Sequence, residues 1–252
     1  MAIPYSHYNV IKSTPDSRDL LFAKIASPVE NLPSAVNMIS KCPPVYNQFS
    51  CGSCTGNAIA AAYQFDLMRQ GLQSFEPSRL FIYYNERVVE GTVYRDSGAM
   101  IRDGMMSISQ NGVCPEELWP YDISKFAIRP SPEAYAAAMQ HTTSSYYSVN
   151  VELESMKQTL AQGYPIVVGI SVFTSFESSA VAKDGIVPMP APNEACLGGH
   201  CILIVGYSDA TQRFIVRNSW GADWGDKGYF YLPYDFATHD LMSDAWVLTT
   251  VR

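Results

Sequence analysis

The sequence predicts an α+β fold with two lobes, on the basis of where its helical and strand patterns fall. The first half, after an N-terminal stretch, places apolar residues at helical spacing, whereas the second half contains short runs rich in β-branched and aromatic residues. Helices and strands grouped in separate halves are typical of α+β proteins. We therefore expect a mainly helical lobe over about residues 42–140 and a β-rich lobe over about residues 141–252, with a cleft between them.

The helices are predicted from apolar spacing and from the residues at their ends. The first helix follows Cys54, and Gly71 is a suitable stop for it. Its core stripe consists of Ala58, Ala61, Ala62, Phe65 and Met68. Further helices are predicted at about residues 78–90, 101–110, 132–140 and 152–162. The strands are predicted at residues 166–172, 201–207, 214–218, 229–232 and 245–251.

Residues 1–31 form a polar arm that is interrupted by prolines and has neither helical nor strand periodicity. We expect the folded domain to span residues 32–252, beginning at Leu32-Pro33. One hypothesis is that the arm is a strap on the surface or an untethered tail, as is common at termini. The other is that it crosses the cleft and limits access, because no long helical segment precedes the domain in this sequence.

Composition narrows the classes of partner. The chain has 252 residues, of which 47% are hydrophobic and 16% charged, and its net charge is -7 with no basic block. This balance argues against nucleic acid or an anionic membrane as the main partner, and no apolar run approaches the ~20 residues of a spanning helix. We expect a monomer without cofactor or metal. The start of the chain lacks the features of a secretory signal, so export after removal of a leader and a cytoplasmic location both stay open.

Three short motifs supply the groups of a nucleophilic hydrolase. Gln48-Phe49-Ser50-Cys51-Gly52-Ser53-Cys54 precedes the first helix, Gly199-His200-Cys201 comes much later, and Asn218-Ser219-Trp220-Gly221 follows it. A thiol, an imidazole and an amide in this order favour covalent catalysis by cysteine. The start of a helix and a nearby imidazolium can together lower a cysteine pKa from ~8.5 to roughly 3.5–7.5.

The remaining groups have roles in the same reaction. His200 would protonate the leaving amine and later activate water, and Asn218 would hold its ring. The Gln48 amide and the backbone N–H of Cys54 would stabilise the oxyanion. Trp220 would shield the His200–Asn218 pair from solvent.

At these residues the chain resembles the papain family of cysteine peptidases, in a bacterial form. Matching segments also include Trp224-Gly225 and Gly228-Tyr229, and the resemblance covers about residues 32–252. A histidine and an asparagine about 130–150 residues after the cysteine are a known signature of this family. The resemblance implies a papain-like two-lobed fold, with a mainly helical lobe, a lobe formed by a β-sheet or a barrel-like sheet, and the active-site cleft between them. It also implies cysteine endopeptidase activity on peptide or protein substrates, with Cys54, His200, Asn218 and Gln48 as the catalytic residues.

The resemblance also implies where substrate binds. Asp96-Ser97-Gly98-Ala99 resembles the glycine-rich segment whose backbone pairs with an extended peptide. Met100, Ile101 and Cys201 would lie near the pocket for the second residue before the cleaved bond. The substrate-binding set implied in this way is Ser97, Gly98, Ala99, Met100, Gly199, Cys201 and Trp220.

Several positions depart from the family pattern. Thr55 stands in place of an aromatic residue, and Phe49 in place of a glycine that such a turn usually contains. Cys51 resembles a bridged position without a cysteine at the partner position. The disulfide pairing among the six cysteines stays open: Cys42–Cys114 is one candidate pair, and Cys51 could be free. Cys201 could be a second reactive thiol.

Other interpretations of the same residues stay open at this point. Cys51-x-x-Cys54 could be a redox pair, although no βαβ unit surrounds it. A zinc site could comprise Cys51, Cys54, Cys196 and His200. Cys54 could be an inert buried thiol and His200 a core histidine, and His7, His141 and His239 are interpreted as surface or structural residues. For the whole chain, the alternative function is a non-catalytic papain-like module that binds peptides or partners and is held closed by its arm.

Overall fold

A computed structural model describes residues 8–14 and 16–251, apart from the side chain of residue 144. The helices are α1 Cys54–Arg69, α2 Arg79–Glu90, α3 Ile101–Gln110, α4 Pro132–Ala138, α5 Leu153–Ala161, α6 Ser179–Asp184 and α7 Asp235–Thr238. The strands are β1 Ala35–Asn37, β2 Thr143–Val149, β3 Ile166–Phe173, β4 Cys196–Ser208, β5 Arg213–Arg217, β6 Tyr229–Pro233 and β7 Met242–Val251. The mixture of helices and antiparallel sheet agrees with the predicted α+β class. Strands β1 and β2 and helices α6 and α7 were not predicted.

The helix ends follow local signals in the sequence. The Ser78 hydroxyl accepts a hydrogen bond from the Phe81 N–H at the start of α2, and Gly91, with φ of 69°, ends that helix in the left-handed region. Ser131 caps α4 in the same way, and Pro132 occupies its first position. These residues explain why the predicted positions of α2 and α4 are close to those observed.

The β-rich lobe is built on an antiparallel sheet, as predicted, and this sheet is open rather than closed into a barrel. Its strand order is β2-β7-β3-β4-β5-β6, and β1 pairs separately with β4. The edge strands β2 and β6 do not pair with each other, which leaves the sheet unclosed. Strand β4 begins at Cys196 rather than at the predicted residue 201, so His200 lies within a strand instead of before it. His200 pairs with Ile170 of β3 in this register.

Helix α1 is buried on almost all sides. It contacts the sheet through β4 and β7 and the other helices through α2 and α3. The predicted apolar stripe therefore understates how much of the helix is buried, because polar residues such as Thr55 and Asp66 are also inside. At the far end Met68, predicted to be in the core, is 43% exposed.

The N-terminal arm contacts the domain along two stretches. Residues 8–14, the cleft segment, lie against Gly199 and Ala99. Residues 20–29, the flank segment, run beside β2 and α5: the Ser148 N–H donates to the Leu20 carbonyl, and the Gln158 side chain bonds both the N–H and the carbonyl of Val29. The arm is thus attached at both the cleft and the side of the sheet.

All six cysteines are unpaired, so the candidate pair Cys42 and Cys114 does not form a disulfide. The Cys42 thiol donates to the Met38 carbonyl beside the sheet. Cys114 is fully buried elsewhere, in a cluster with Phe81 and Ala134. Within residues 8–14 and 16–251, no helix combines the length and the apolar character that crossing a membrane requires.

Candidate active site

Cys54 is the first residue of α1, and its side chain is fully buried. The turn before it is held by Asp96, whose carboxylate accepts the Gly52 N–H at 3.0 and 2.9 Å and the Tyr83 hydroxyl at 2.6 Å. Asp96 therefore ties the cysteine turn to the predicted peptide-binding segment that follows it. The sequence analysis placed Asp96 in the peptide-binding segment but did not predict that it holds the cysteine turn, because its partners Gly52 and Tyr83 are distant in sequence.

His200 and Asn218 are joined directly. His200 Nε2 lies 2.8 Å from Asn218 Oδ1, and both side chains are buried. The Trp220 ring is stacked on the imidazole, with 5.0 Å between centroids and 28° between planes. Strand β4 contains the histidine, and the loop after β5 contains Asn218 and Trp220. Because β4 and β5 are paired neighbours, these residues lie close together. The structure therefore assembles this part of the predicted site.

Gln48 connects the cysteine turn with the asparagine loop. Its amide nitrogen donates to the Cys51 carbonyl at 3.0 Å, and its Oε1 accepts the Ser219 hydroxyl at 2.6 Å. The Gln48 N–H also donates to the Ser219 carbonyl, and the Tyr121 hydroxyl donates to the Gln48 carbonyl. Because an amide nitrogen carries two protons, one bond to Cys51 leaves a second proton for another acceptor. Tyr121 was missed by the sequence analysis, since nothing local marks it.

Burial favours the uncharged forms of both the Cys54 thiol and the His200 imidazole. Burial raises the pKa of Cys54 to about 12, and a backbone N–H of Cys201 only partly opposes it. Burial also lowers the pKa of His200 to about 4, while the bond to Asn218 acts in the other direction. Within the described chain, no hydrogen bond joins Cys54 Sγ to the His200 ring. The expected low thiol pKa is therefore wrong for this arm-covered form, because desolvation outweighs the helix start.

The predicted peptide-binding segment leads into α3. Gly98 has φ of 71° and its N–H donates to the Tyr83 hydroxyl, while Ser97 bonds the Gly98 carbonyl. The Met100 N–H donates to Glu90 at 2.7 Å, and Ile101 is buried in the core. A Cβ on Gly98 would lie 1.9 Å from the Asn9 carbonyl oxygen. Only glycine fits here while the arm is in place.

The cleft segment contacts both predicted sides of the peptide-binding site, at Gly199 and at Ala99. The Val10 N–H donates to the Gly199 carbonyl at 3.1 Å, and the Gly199 N–H donates to the Tyr8 carbonyl at 3.2 Å. The Ile11 N–H donates to the Ala99 carbonyl at 3.3 Å. These are the backbone contacts of an extended peptide in a groove. Residues 8–14 therefore follow the path of the cleft hypothesis, whereas residues 20–29 follow that of a strap on the surface.

Aromatic rings close the end of the cleft near residue 8. The Tyr8 ring lies 6.2 Å from the His200 ring and 6.1 Å from the Trp220 ring, centroid to centroid. The Tyr8 hydroxyl donates to Glu177 at 2.6 Å. This tyrosine adds to the burial that keeps the imidazole uncharged.

The other predicted features have the following positions. Cys201 is buried directly after the histidine, whereas Cys196 is exposed. Phe49 has φ of 50° and an exposed side chain, which explains why a glycine is usual in such a turn. The His141 ring packs on Phe75, His239 is exposed, and His7 lies outside the described residues. Across the described ranges, no group of three or more His, Cys, Asp or Glu side chains could hold a metal ion.

Comparison with known proteins identifies the family. Residues 32–247 match the papain family cysteine proteases. The chain belongs to this family. It is 39% identical to an uncharacterized peptidase C1-like protein of Acanthamoeba polyphaga mimivirus, over 97% of this chain and 87% of that protein. The crystal structure of xylellain, a cysteine protease from Xylella fastidiosa, superposes with a TM-score of 0.89 at 39% identity, covering 98% of this chain and 97% of that one. Cysteine proteinase 1 of Entamoeba histolytica is 29% identical, over 84% of this chain and 66% of its own length.

Proposed function

We propose that this papain-family chain is a cysteine endopeptidase that residues 8–14 keep latent. One observation carries the proposal: the cleft already holds an extended polypeptide by backbone hydrogen bonds at Gly199 and Ala99, next to Cys54 and the His200–Asn218 pair. Recognition through the backbone suits a substrate whose side chains vary. The arm runs from Tyr8 at the histidine past Ser13, whose N–H reaches Asp244. A groove that takes such a length of chain supports internal cleavage rather than removal of single terminal residues.

The proposed reaction uses the predicted quartet. The Cys54 thiolate attacks the peptide carbonyl carbon, and the carbonyl electrons move to oxygen. The Gln48 amide and the Cys54 N–H stabilise that oxyanion. As the C–N bond breaks, His200 gives its proton to the leaving amine, which leaves a thioester on Cys54. Water then loses a proton to His200 and attacks the thioester carbon, and the C–S bond breaks, which releases the acid and restores the Cys54 thiolate beside the His200 imidazolium.

Displacing the cleft segment should prepare the pair for this reaction. With the arm in place, burial favours neutral thiol and neutral imidazole. Removing Tyr8 and its neighbours readmits water beside both groups and lessens that burial. The ion pair of thiolate and imidazolium then becomes accessible, assisted by the start of α1. The alternative, a closed binding module, offers no reason for this set of four side chains to converge.

The test combines labelling with turnover. A thiol-directed epoxide inhibitor is applied to the full chain and to the chain lacking residues 1–31, followed by intact mass and peptide mapping. We expect single labelling at Cys54, much faster without the arm. Turnover of a fluorogenic peptide should be lost in Cys54→Ala and retained in the matched variant Cys51→Ala, which removes a neighbouring buried thiol. Full turnover in Cys54→Ala would move the nucleophile to another residue, and no labelling of a folded truncated chain would favour the binding module.

A further inference from the structure

A buried carboxyl group lies directly behind the start of α1. Glu86 of α2 is fully buried, and its Oε2 accepts the hydroxyl of Thr55 at 2.6 Å. Thr55 is the residue after Cys54 and is itself fully buried. This contact exists because position 55 holds a small hydroxyl residue where the family usually has an aromatic one. The threonine that replaces the usual aromatic residue at position 55 is therefore matched by a buried acid, Glu86, which accepts its hydroxyl.

The second oxygen of Glu86 has no partner. Oε1 is buried and makes no hydrogen bond. Helix α3 covers it through Gly104, where a Cβ would lie 2.5 Å from Oε1 and 2.3 Å from the Ile59 side chain. The carboxyl thus touches α1 at Thr55 and α3 at Gly104 while belonging to α2. A single side chain therefore contacts neighbouring residues on two other helices, at the start of the one that carries the thiol.

No cation neutralises this carboxyl. Arg87 is adjacent in sequence, but its guanidinium donates to the carbonyls of Tyr83, Val93, Arg95 and Phe126. None of the ion pairs in the described part of the chain includes Glu86 or Glu90. An unpaired carboxylate in such a site is unfavourable, and the group responds by keeping its proton. The charged and titratable groups around it are Cys54 on α1, Arg87 and Glu90 on α2, Asp103 on α3 and Cys201 on β4.

We propose that Glu86 is a positioning residue that holds the start of α1 as an uncharged acid and that its ionisation weakens the Cys54 site. The proposal rests on Cys54 as the nucleophile. A neutral acid leaves the partial positive charge of the helix start available to a thiolate, whereas a buried carboxylate beside it opposes that charge. Glu90, one turn further along α2, has a similar unpartnered oxygen and holds the Met100 N–H instead.

The electrostatics support this arrangement. Burial raises the pKa of Glu86 to about 8, with Thr55 acting in the opposite direction and Glu90 adding to the increase. The pKa of Cys54 is raised mainly by burial, and Glu86 contributes to that increase through its charge. Loss of the Glu86 proton and formation of the Cys54 thiolate therefore oppose each other.

The first test observes the proton itself. Infrared spectra of the full chain and of Glu86→Gln are compared between about pH 6 and about pH 10, a range that brackets the expected ionisation. The wild-type protein should show the carbonyl stretch of a protonated acid at the lower pH, absent from the variant and lost on raising the pH. Absence of this band at the lower pH would mean that Glu86 is already charged, which overturns the proposal whether or not the chain is a peptidase.

The second test measures the effect on Cys54. Alkylation of Cys54 by iodoacetamide is followed by peptide mapping in the full chain, so that opening of the arm is common to all variants. Glu86→Gln should alkylate at the wild-type rate near pH 6 and about 3- to 10-fold faster near pH 9, which corresponds to a thiol pKa lower by about 0.5–1. A ratio that does not change with pH would reduce Glu86 to a packing role.

Two further variants keep the result interpretable. Asp66→Asn is the matched control, because Asp66 is a buried acid at the other end of α1 that is paired with Arg69. It should leave the alkaline half of the wild-type profile unchanged. Thr55→Val removes the donor that favours the ionised acid, so the alkaline transition should move to higher pH. If Glu86→Gln does not fold, a transition in Thr55→Val that stays in place or moves to lower pH would contradict the proposal.

Discussion

The two stretches of the arm are attached by different physical means. The cleft segment is held by backbone hydrogen bonds to Gly199 and Ala99, which are directional and which a peptide could form equally well. The flank segment combines its hydrogen bonds to Ser148 and Gln158 with a buried aromatic anchor: Phe22 is 4% exposed and its ring lies 5.1 Å from that of Tyr164. Burying a phenylalanine is worth about 2–3 kcal/mol, more than a single backbone bond contributes.

Under the proposed function, this difference gives the two stretches separate roles: one anchors the arm, and the other obstructs the cleft. The flank segment keeps the arm on the protein, and the cleft segment occupies the groove at a high effective concentration because it is tethered. A competing peptide displaces the cleft segment by replacing its hydrogen bonds, whereas it offers no substitute for Phe22. We therefore expect the cleft segment to open while the flank segment stays attached.

The largest effect should come from removing the cleft segment alone. Deletion of residues 1–14 leaves Phe22 in place and should raise turnover of a fluorogenic peptide by about 10²-fold, which corresponds to about 2.7 kcal/mol of lost obstruction. Deletion of residues 1–31 should raise turnover similarly but lower the melting temperature, because it also uncovers the Phe22 site. Equal low turnover in the full chain and in the folded shorter deletion would show that the cleft segment is not the obstruction.

Weakening the anchor should have the next largest effect. Phe22→Ala removes about 3 kcal/mol of packing and frees the flank segment, so basal turnover should rise about 10-fold as the effective concentration of the cleft segment falls. Leu20→Ala is the matched control, since that side chain is 65% exposed in the same stretch. A rise in both variants would indicate that the flank segment responds to any change rather than to loss of this packing.

Acid pH should also favour release of the arm. The covered form lowers the pKa of His200 from 6.5 to about 4 through burial, so it binds a proton less tightly than a hydrated form does. As the pH falls from about 6.5 towards about 4, protonation therefore favours the uncovered form, and the stability of the covered form is lost over that window. The rate of epoxide labelling of Cys54, corrected with the chain lacking residues 1–14, should increase over the same range. A corrected rate that is flat with pH would contradict this linkage.

Local sequence patterns predicted the positions of most residues of the site but not the path of the arm. Helix α1 begins at Cys54 as predicted, and the motifs at Gln48, His200 and Asn218 meet there because each is attached to a regular element with recognisable ends. The path of the arm has no such signal: Phe22 stands among other apolar residues, of which Leu20 and Ile25 are exposed, and its partner Tyr164 is distant in sequence. Contacts of that kind follow from the folded surface rather than from periodicity.

The sequence also did not predict how burial changes the pKa values of the site residues. A cysteine at a helix start indicates a low pKa, yet the Cys54 pKa is high here because burial of the thiol excludes water. The open sheet in place of a barrel has a similar origin, since apolar runs predict strands without indicating which edges pair. Likewise Glu86 was an ordinary charged residue of a predicted helix until the fold placed it behind Thr55.

The smallest effect should come from the contact that joins the two stretches of the arm. Arg102 of α3 donates through Nη1 to the Thr14 carbonyl at 2.7 Å, and its Nε and Nη2 bond both carboxylate oxygens of Asp19 at 3.1 and 2.5 Å. The pair is only partly buried, so we expect it to contribute about 1 kcal/mol to holding the arm.

Arg102→Gln should raise basal turnover about 5-fold, and Arg102→Lys, which keeps the charge without the two-point geometry, should give a turnover between that of wild type and that of Arg102→Gln. High salt should reduce the difference between wild type and Arg102→Gln, because it screens this ion pair. A difference that persists in high salt would mean that Arg102 acts through packing on the arm instead of through its charge.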